Sequence, residues 1–515
     1  MMLFWLSLLP FIALFVLLIP FRRPAYQAAP IAYAVAVVLA LTVWQVSGAV
    51  VMASMLNALI VFIEVLLIVT LALLLLNVMV ETGTLDTIRS ALASITTDDR
   101  VLAMLLAWGL VCFIEGIAGF GTPAVLAAPM LVYFGFTPLK AVTISLIGNS
   151  TAVPFGAAGT PVIIGFAGLG LSEDAAAQVV FQTAAVQGGM SVFITCFITY
   201  VVTRNAAKGR FREFVPFAIF SALTFSIPYV LIACFVGPEL PSILGGIVAL
   251  VAISYAAHKG FLLRPGVMPS NRRAVSPAAM LKSFAPFLVM SVALIASRTI
   301  PAVRETLREL TISFGSFRGI ELTQEISPFY TPYFYLALAL LSASLLFKVS
   351  FGTLVRAAAV THRKIRIASI VLIFIIALTQ LLLMSEMNQA DLQSIPQVLG
   401  SGFATLLCAG FVMFSAFLGA FGSFMTGSAT VSNLLFASLQ SDAARALATP
   451  ATTLLALQLI GAGLGNMISL HNIAMASGAV GLAATEGQVI RKTIVPVVAV
   501  CLAAGFVLLA WQADL

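Results

Sequence analysis

Apolar residues run in blocks along the whole chain. Runs at 3–20, 27–46 and 56–80 each predict one membrane-crossing helix, since about 20 apolar residues span the hydrocarbon core of a bilayer. A stretch from 101 to 166 follows, with Glu115 and Lys140 as its only charged residues. Further runs lie at 176–202, 214–236, 239–257, 282–300, 331–347 and 366–385. Residues 392–441 carry no charge, 446–485 hold His471 as their one ionisable residue, and a last run spans 491–511. The longest polar connections, 258–281 and 301–330, read as loops. No segment is hydrophilic enough to form a separate soluble domain.

Orientation follows from the basic residues, which concentrate in cytoplasmic loops. Suppose that 101–134 and 397–440 are re-entrant hairpins that enter from opposite faces. Then 21 of the 26 Lys and Arg residues fall on the cytoplasmic side. Arg304, Arg308, Arg318 and Arg445 fall outside, and Arg298 lies in the membrane. Treating either hairpin as a single crossing spoils this partition. The pattern therefore predicts an all-α polytopic membrane protein, one transmembrane domain over 1–515, with about 12 transmembrane helices plus two re-entrant hairpins. Both termini lie outside, and the first run, with no basic stretch before it, is not a cleavable signal peptide. Residues 146–170 and 459–483 both begin with LIG and carry G-x-x-G-L near the end, without a gap. This suggests two inverted repeats, 56–257 and 331–511, with broken helices that meet at mid-membrane, as in secondary transporters.

Composition narrows the class further. Apolar residues make up 61% of the 515 and charged residues 9%, against about 25% charged in soluble proteins. This excludes a soluble enzyme, a disordered chain and a nucleic-acid module. The net charge of +7 sits in short loops and implies no nucleic-acid partner. The five cysteines lie scattered inside apolar runs, which reads as inert, membrane-buried thiols. Three separated histidines suggest neither a metal site nor an enzyme. No phosphate-binding G-x-x-x-x-G-K-[ST] occurs, so no nucleotide or other cofactor is expected.

Four motifs carry the candidate chemistry. Residues 115–123 read EGIAGFGTP at the expected tip of the first hairpin. Glycine and proline break the helix there, and broken backbone at membrane depth is tolerated where it is buried or lines a cavity. Gly119, Gly121 and Thr122 become candidate substrate contacts and Glu115 a candidate proton carrier. The competing reading is a carboxyl that only braces the hairpin. Residues 148–161 would interrupt a crossing near its middle and offer Asn149, Ser150, Thr151, Gly159 and Thr160. A half-helix N-terminus suits an anion, although a packing kink would look the same. In the second half, 426–433 offers Ser428, Thr430, Ser432 and Asn433. Residues 465–472 offer Asn466, Ser469 and Asn472, with His471 as a second candidate proton carrier. Such polar residues also serve as interhelical glue. Arg298 could pair with a carboxylate or snorkel to the outer interface. Glu64 shares a helical face with Asn57, seven residues away.

At these motifs the chain resembles the lactate permease family. EGIAGFGTPAVLAAP is similar to that family's EGAAGFG-type segment, and NSTAVPFGAAGTP to its N-T-A-P-V-A-F-G-A-x-G-x-P segment. TGSATVSNLLFASLQ and GNMISLHNIAMASGAVGL are similar to its second-half pair. ETG at 81–83, GPELP at 237–241 and the EGQVIRKT tail also fit. The chain departs from the family at Ala429, where many members carry an acidic or amide residue. The resemblance implies multi-pass insertion in the plasma (inner) membrane and uptake of 2-hydroxymonocarboxylates, lactate or glycolate, coupled to protons. The alternative is a sodium-coupled or exchanging carrier of other organic anions. More remotely, the layout is similar to the ion transporter superfamily, which adds homodimer formation to the expectations.

Overall fold

The computed structural model describes residues 2–513 except 19, 20, 22, 24, 88–95, 97, 120, 205–209, 264–275, 323, 409 and 483–485. The described chain is almost entirely helical. Helices α1 (Met2–Leu18), α2 (Ala25–Thr42) and α3 (Gly48–Glu81) lead into the first hairpin. Its first limb is α4 (Asp99–Ala103), a π-helical segment (Met104–Leu110) and α5 (Val111–Ala118), and its second is α6 (Thr122–Tyr133). A broken helix follows, α7 (Pro138–Asn149) and α8 (Gly156–Ile163), bent by 60°. Then come α9 (Glu173–Thr203), α10 (Arg210–Phe235), α11 (Pro241–Lys259), α12 (Pro277–Thr299), α13 (Pro301–Glu309), α14 (Pro332–Leu346) and α15 (Phe351–Met384). Helix α16 (Ile395–Leu407) precedes the second hairpin, α17 (Gly410–Thr426) and α18 (Ala429–Ala446). A second interrupted helix, α19 (Ala451–Gly465) and α20 (Leu470–Ala479), and then α21 (Glu486–Ala513) complete the chain.

The two 34-residue helices, α3 and α15, run antiparallel. Arg356 Nε donates to Glu81 at 2.9 Å at one end, and the Asn57 amide reaches Met384 Sδ at 3.6 Å at the other. Between them Asn77 Nδ2 donates to Thr361 Oγ1 at 2.7 Å. The hairpins and broken helices hold the buried centre. Each broken helix packs tightly on the first limb of its own hairpin through the glycine of its LIG. A Cβ at Gly148 would overlap the Ala107 carbonyl, and one at Gly461 the Ala416 carbonyl. These glycines occupy the same place in the two similar segments.

The helix boundaries add detail to several expectations. Among the described residues seven helices are long and apolar enough to cross a membrane, or up to nine if each bent pair is one span. Others, such as α1 and α14, are apolar but shorter, so helix length does not establish the count of twelve. The 301–330 connection is not a plain loop. It holds α13, bent by 92° from α12, and two short antiparallel ladders, Ile312–Ser313 with Glu325–Ile326 and Ser316–Phe317 with Ile320–Glu321. The apolar run at 366–385 understates its helix, because Arg356, Arg363 and Arg366 are good helix formers that interrupt only the apolar pattern. Cys112 and Cys501 are buried within the protein, Cys234 and Cys408 lie on its surface, and all five are free.

Candidate functional site

The first hairpin turns at two left-handed glycines, Gly119 (φ +54°) and Gly121 (φ +75°), a region costly for residues with a Cβ. A Cβ at Gly121 would also stand 2.6 Å from Asn472 Oδ1, so this tip touches the second broken helix. Glu115, one turn before the tip, is 2% exposed. Its Oε1 lies where a Cβ of Gly156 would be, so the carboxyl rests on the bare backbone of the first break. The Asn149 side chain interacts with the same carboxyl. Oε2 has no hydrogen-bond partner among the described residues, and neither has Asn149 Oδ1.

A broken helix frees backbone carbonyls, which must find donors when buried. Three flanking helices supply them at the first break. Gln187 Nε2 donates to the Ser150 carbonyl at 3.4 Å, Tyr229 Oη to that of Thr151 at 3.0 Å, and Ser242 Oγ to that of Ala152 at 2.7 Å. The chain then makes a left-handed turn through Ala157 (φ +43°), Ala158 (φ +53°) and Gly159 (φ +79°). Gly159 lies against the Pro238 carbonyl, so it serves both by its conformation and by its missing side chain.

The second hairpin turns at Gly427 (φ +74°). Ser428 caps α18 by accepting from the Val431 N–H at 3.3 Å. Helix α18 then braces the first break: Asn433 Nδ2 donates to the Pro161 carbonyl at 2.8 Å, and Thr430 Oγ1 to Thr160 Oγ1 at 3.4 Å. At the second break, Asn472 Nδ2 donates to the carbonyls of Gly427 at 3.4 Å and Asn466 at 3.2 Å, and also to Asn466 Oδ1. Each tip thus touches the broken helix of the other half.

Where they meet lies a narrow cleft. Of the residues singled out in the sequence, Glu115, Gly119, Thr160, Ser428, Thr430 and Asn466 line it. Glu115 is its one ionisable lining residue among the described residues. Gly121, Asn149, Ser150, Thr151, Gly159, Ser469 and Asn472 stand behind this layer and shape the tips and breaks. Thr122 opens α6. Ser432 and Asn433 join a buried amide network: Ser432 Oγ donates to the Gly419 carbonyl at 2.7 Å, and Gln458 Nε2 to Ser432 Oγ at 3.1 Å and Asn433 Oδ1 at 3.3 Å. His471 packs beside Gly427, outside the lining. Arg298 lies in α12, and its side chain is outside the described residues.

Sequence reasoning missed Val153, Gly156, Ala157, Pro161, Gly427 and Ala429 as lining residues. All fall inside the quoted motifs, but they present backbone or methyl groups, which carry no chemical signature. Ala429 packs with Val153 and Ala462. It stands in the same cleft as Glu115, so an acid at 429 would face a second carboxyl there.

A family model described as L-lactate permease matches residues 4–513. A Haemophilus influenzae protein is 30% identical over 81% of each chain. The L-lactate permease of Escherichia coli K12 is 28% identical over 95% of this chain and 93% of its own. The glycolate permease GlcA of the same strain is 28% identical over 83% and 80%. Among solved structures, the YdaH transporter of Alcanivorax borkumensis aligns with a TM-score of 0.43 at 13% identity, over 87% of this chain and 85% of that one.

Proposed function

The chain belongs to the L-lactate permease family and is a multi-pass membrane protein; from that premise we propose that it carries lactate and glycolate across the plasma membrane together with a proton, by alternating access. Its relatives are named permeases, which favours transport over catalysis. The observation that supports coupling is the cleft's charge. Among the described residues it holds one carboxyl, Glu115, and no cationic lining residue. Two negative charges about 6 Å apart at an effective dielectric of 20 repel by roughly 3 kcal/mol. A proton on Glu115 removes that repulsion, so anion and proton bind together more readily than either alone.

Polar contacts come from neutral groups. The Ser428 and Thr430 hydroxyls and the Asn466 amide line the cleft. The Ala429 and Thr430 N–H groups that open α18 have no acceptor within their helix and suit a carboxylate. So small a supply of positive charge favours a monoanion over a dianion. Gly119, Gly121, Thr122, Asn149, Ser150, Thr151, Gly159, Thr160, Ser432, Asn433, Ser469 and Asn472 would shape or contact this site. Repeats 56–257 and 331–511 would rock about it to expose it to each side in turn.

The test is uptake of labelled lactate, glycolate and a dicarboxylate into vesicles, with proton and sodium gradients imposed separately. Lactate and glycolate should accumulate under a proton gradient and the dicarboxylate should not. Glu115→Gln should abolish accumulation yet retain exchange of internal for external lactate. Accumulation by the Gln variant would make Glu115 structural, and accumulation driven by sodium alone would exclude the proton.

A further inference from the structure

A second, narrow cleft lies one helical turn beyond the first. The two share walls: Thr160 and Thr430 line the central cleft, Ile164 and Leu434 the other. The Asn433–Pro161 hydrogen bond sits at the partition between them. Helices α3 and α15 close the second cleft through Val61, Thr379, Gln380 and Leu383. Gln380 lies 24 residues, about 36 Å of helix, beyond Arg356. The Arg356 end carries Arg363 and Arg366 as well, which marks it as cytoplasmic. The cleft therefore belongs to the outer half of the protein.

Its walls are mostly apolar, but two polar side chains in them are unspent. Gln380 is 5% exposed and Ser438 is 7% exposed. Among the described residues neither side chain makes a hydrogen bond, and both line the cleft. Their polar atoms reach the open space of the cleft, so their partner comes from whatever occupies it. Neighbouring Thr379 shows the ordinary case: its hydroxyl bonds to the Ile375 carbonyl at 3.0 Å and the Leu434 carbonyl at 2.9 Å. Asn77 makes the same contrast. It and Gln380 are each the thirtieth residue of a 34-residue helix, and Asn77 is tied to Thr361.

We propose that this outer cleft is a second binding site for a small hydroxycarboxylate, with the Gln380 amide and the Ser438 hydroxyl as its polar contacts. It rests on the transport reading above and places the ligand there on its way to the central cleft. The amide N–H groups and the hydroxyl donate to the carboxylate, while Val61, Ile164, Leu383 and Leu434 surround its carbon end.

The test uses the full chain in vesicles, with the five native cysteines replaced and Ser438→Cys introduced. A membrane-impermeant methanethiosulfonate applied outside should modify the new thiol. Lactate or glycolate should slow that reaction several-fold, whereas lactamide, neutral and nearly isosteric with lactate, should not. Adding Gln380→Leu should raise the lactate concentration for half-protection about 10-fold or more, the usual effect of losing a hydrogen bond to a charged group. Modification indifferent to lactate, or slowed equally by lactamide, would overturn the proposal. So would half-protection unchanged by Gln380→Leu, since protection would then arise from closure around the central cleft. A wild type that accumulates neither lactate nor glycolate would count against the transport reading, whereas protection of the Ser438→Cys thiol is read without any transport. If Gln380→Leu fails to insert, Gln380→Asn, with a shorter reach, should give the same direction of shift.

Discussion

One methyl group should decide the fate of a substitution at Gly148 or Gly461. Each faces a backbone carbonyl, which cannot swing aside as a side-chain end can. Gly148→Ala and Gly461→Ala should each cost about 1–3 kcal/mol or more, seen as a lower melting temperature of the purified protein. Gly189, in α9 with open space around it, is the control. Its change to Ala should be neutral or stabilise by up to about 1 kcal/mol. The opposite sign is expected at Ala158. A non-glycine residue in the left-handed region costs roughly 1–2 kcal/mol, so Ala158→Gly should raise the melting temperature. The glycines of 148–161 were visible in the sequence, but their reasons were not. Gly156 has an ordinary φ of −70° and is needed because Glu115 occupies the place of its Cβ. The left-handed turn falls instead on two alanines, which no residue-type rule would select.

Single elements are held at their ends by polar contacts that an apolar pattern does not show. The link between α18 and the first break depends on Asn433. Asn433→Leu leaves the Pro161 carbonyl without its donor, at a cost of about 1–3 kcal/mol, and should lower both melting temperature and maximal lactate uptake. The base of the first hairpin is fastened by Asp98, which accepts from Arg100 Nη2 at 2.6 Å, while Arg210 Nη2 donates to Asp99 at 2.6 Å. Burial pushes the Asp98 carboxyl up, but the hydrogen bonds and charge of Arg100 outweigh it and hold the carboxyl below its ordinary value. A lowered folded-state pKa contributes stability that is complete above the unfolded value of about 3.9 and is lost only as pH falls below it. The destabilisation caused by Asp98→Asn should therefore be equal at pH 5 and pH 8. A pH-dependent difference in that range would assign the titration elsewhere. The apolar runs located most helices because burial in lipid needs apolar surface. They missed the first turns of α15 and all of α13, whose polar residues form helix without spanning.

For the whole molecule, the charge partition and the paired hairpins lead to a topology test. Cysteines introduced at 88 and 136 should both react from the cytoplasm, and cysteines at 390 and 443 should both react from outside. Opposite-side labelling within a pair would remove the re-entrant hairpin from that half. The antiparallel α3 and α15 are joined at one end by the Glu81–Arg356 ion pair.

Run length and composition alone made this a polytopic helical membrane protein, because every crossing must bury its backbone in helix and show apolar surface to lipid. They also located the four broken, polar motifs, since glycine, proline and hydroxyl residues are conspicuous in an apolar chain. Which of those residues face a cleft was decided by packing. Ser150, Thr151, Ser432 and Asn433 carry the same chemistry as Thr160, Ser428 and Thr430. The first group stands behind the lining because its carbonyls, hydroxyl and amide are already taken by hydrogen bonds to neighbouring helices. Gln380 gave no signal in an ordinary apolar helix. Only the meeting of α15 with α18 and the first broken helix sets it in the wall of a cleft, with no hydrogen bond among the described residues.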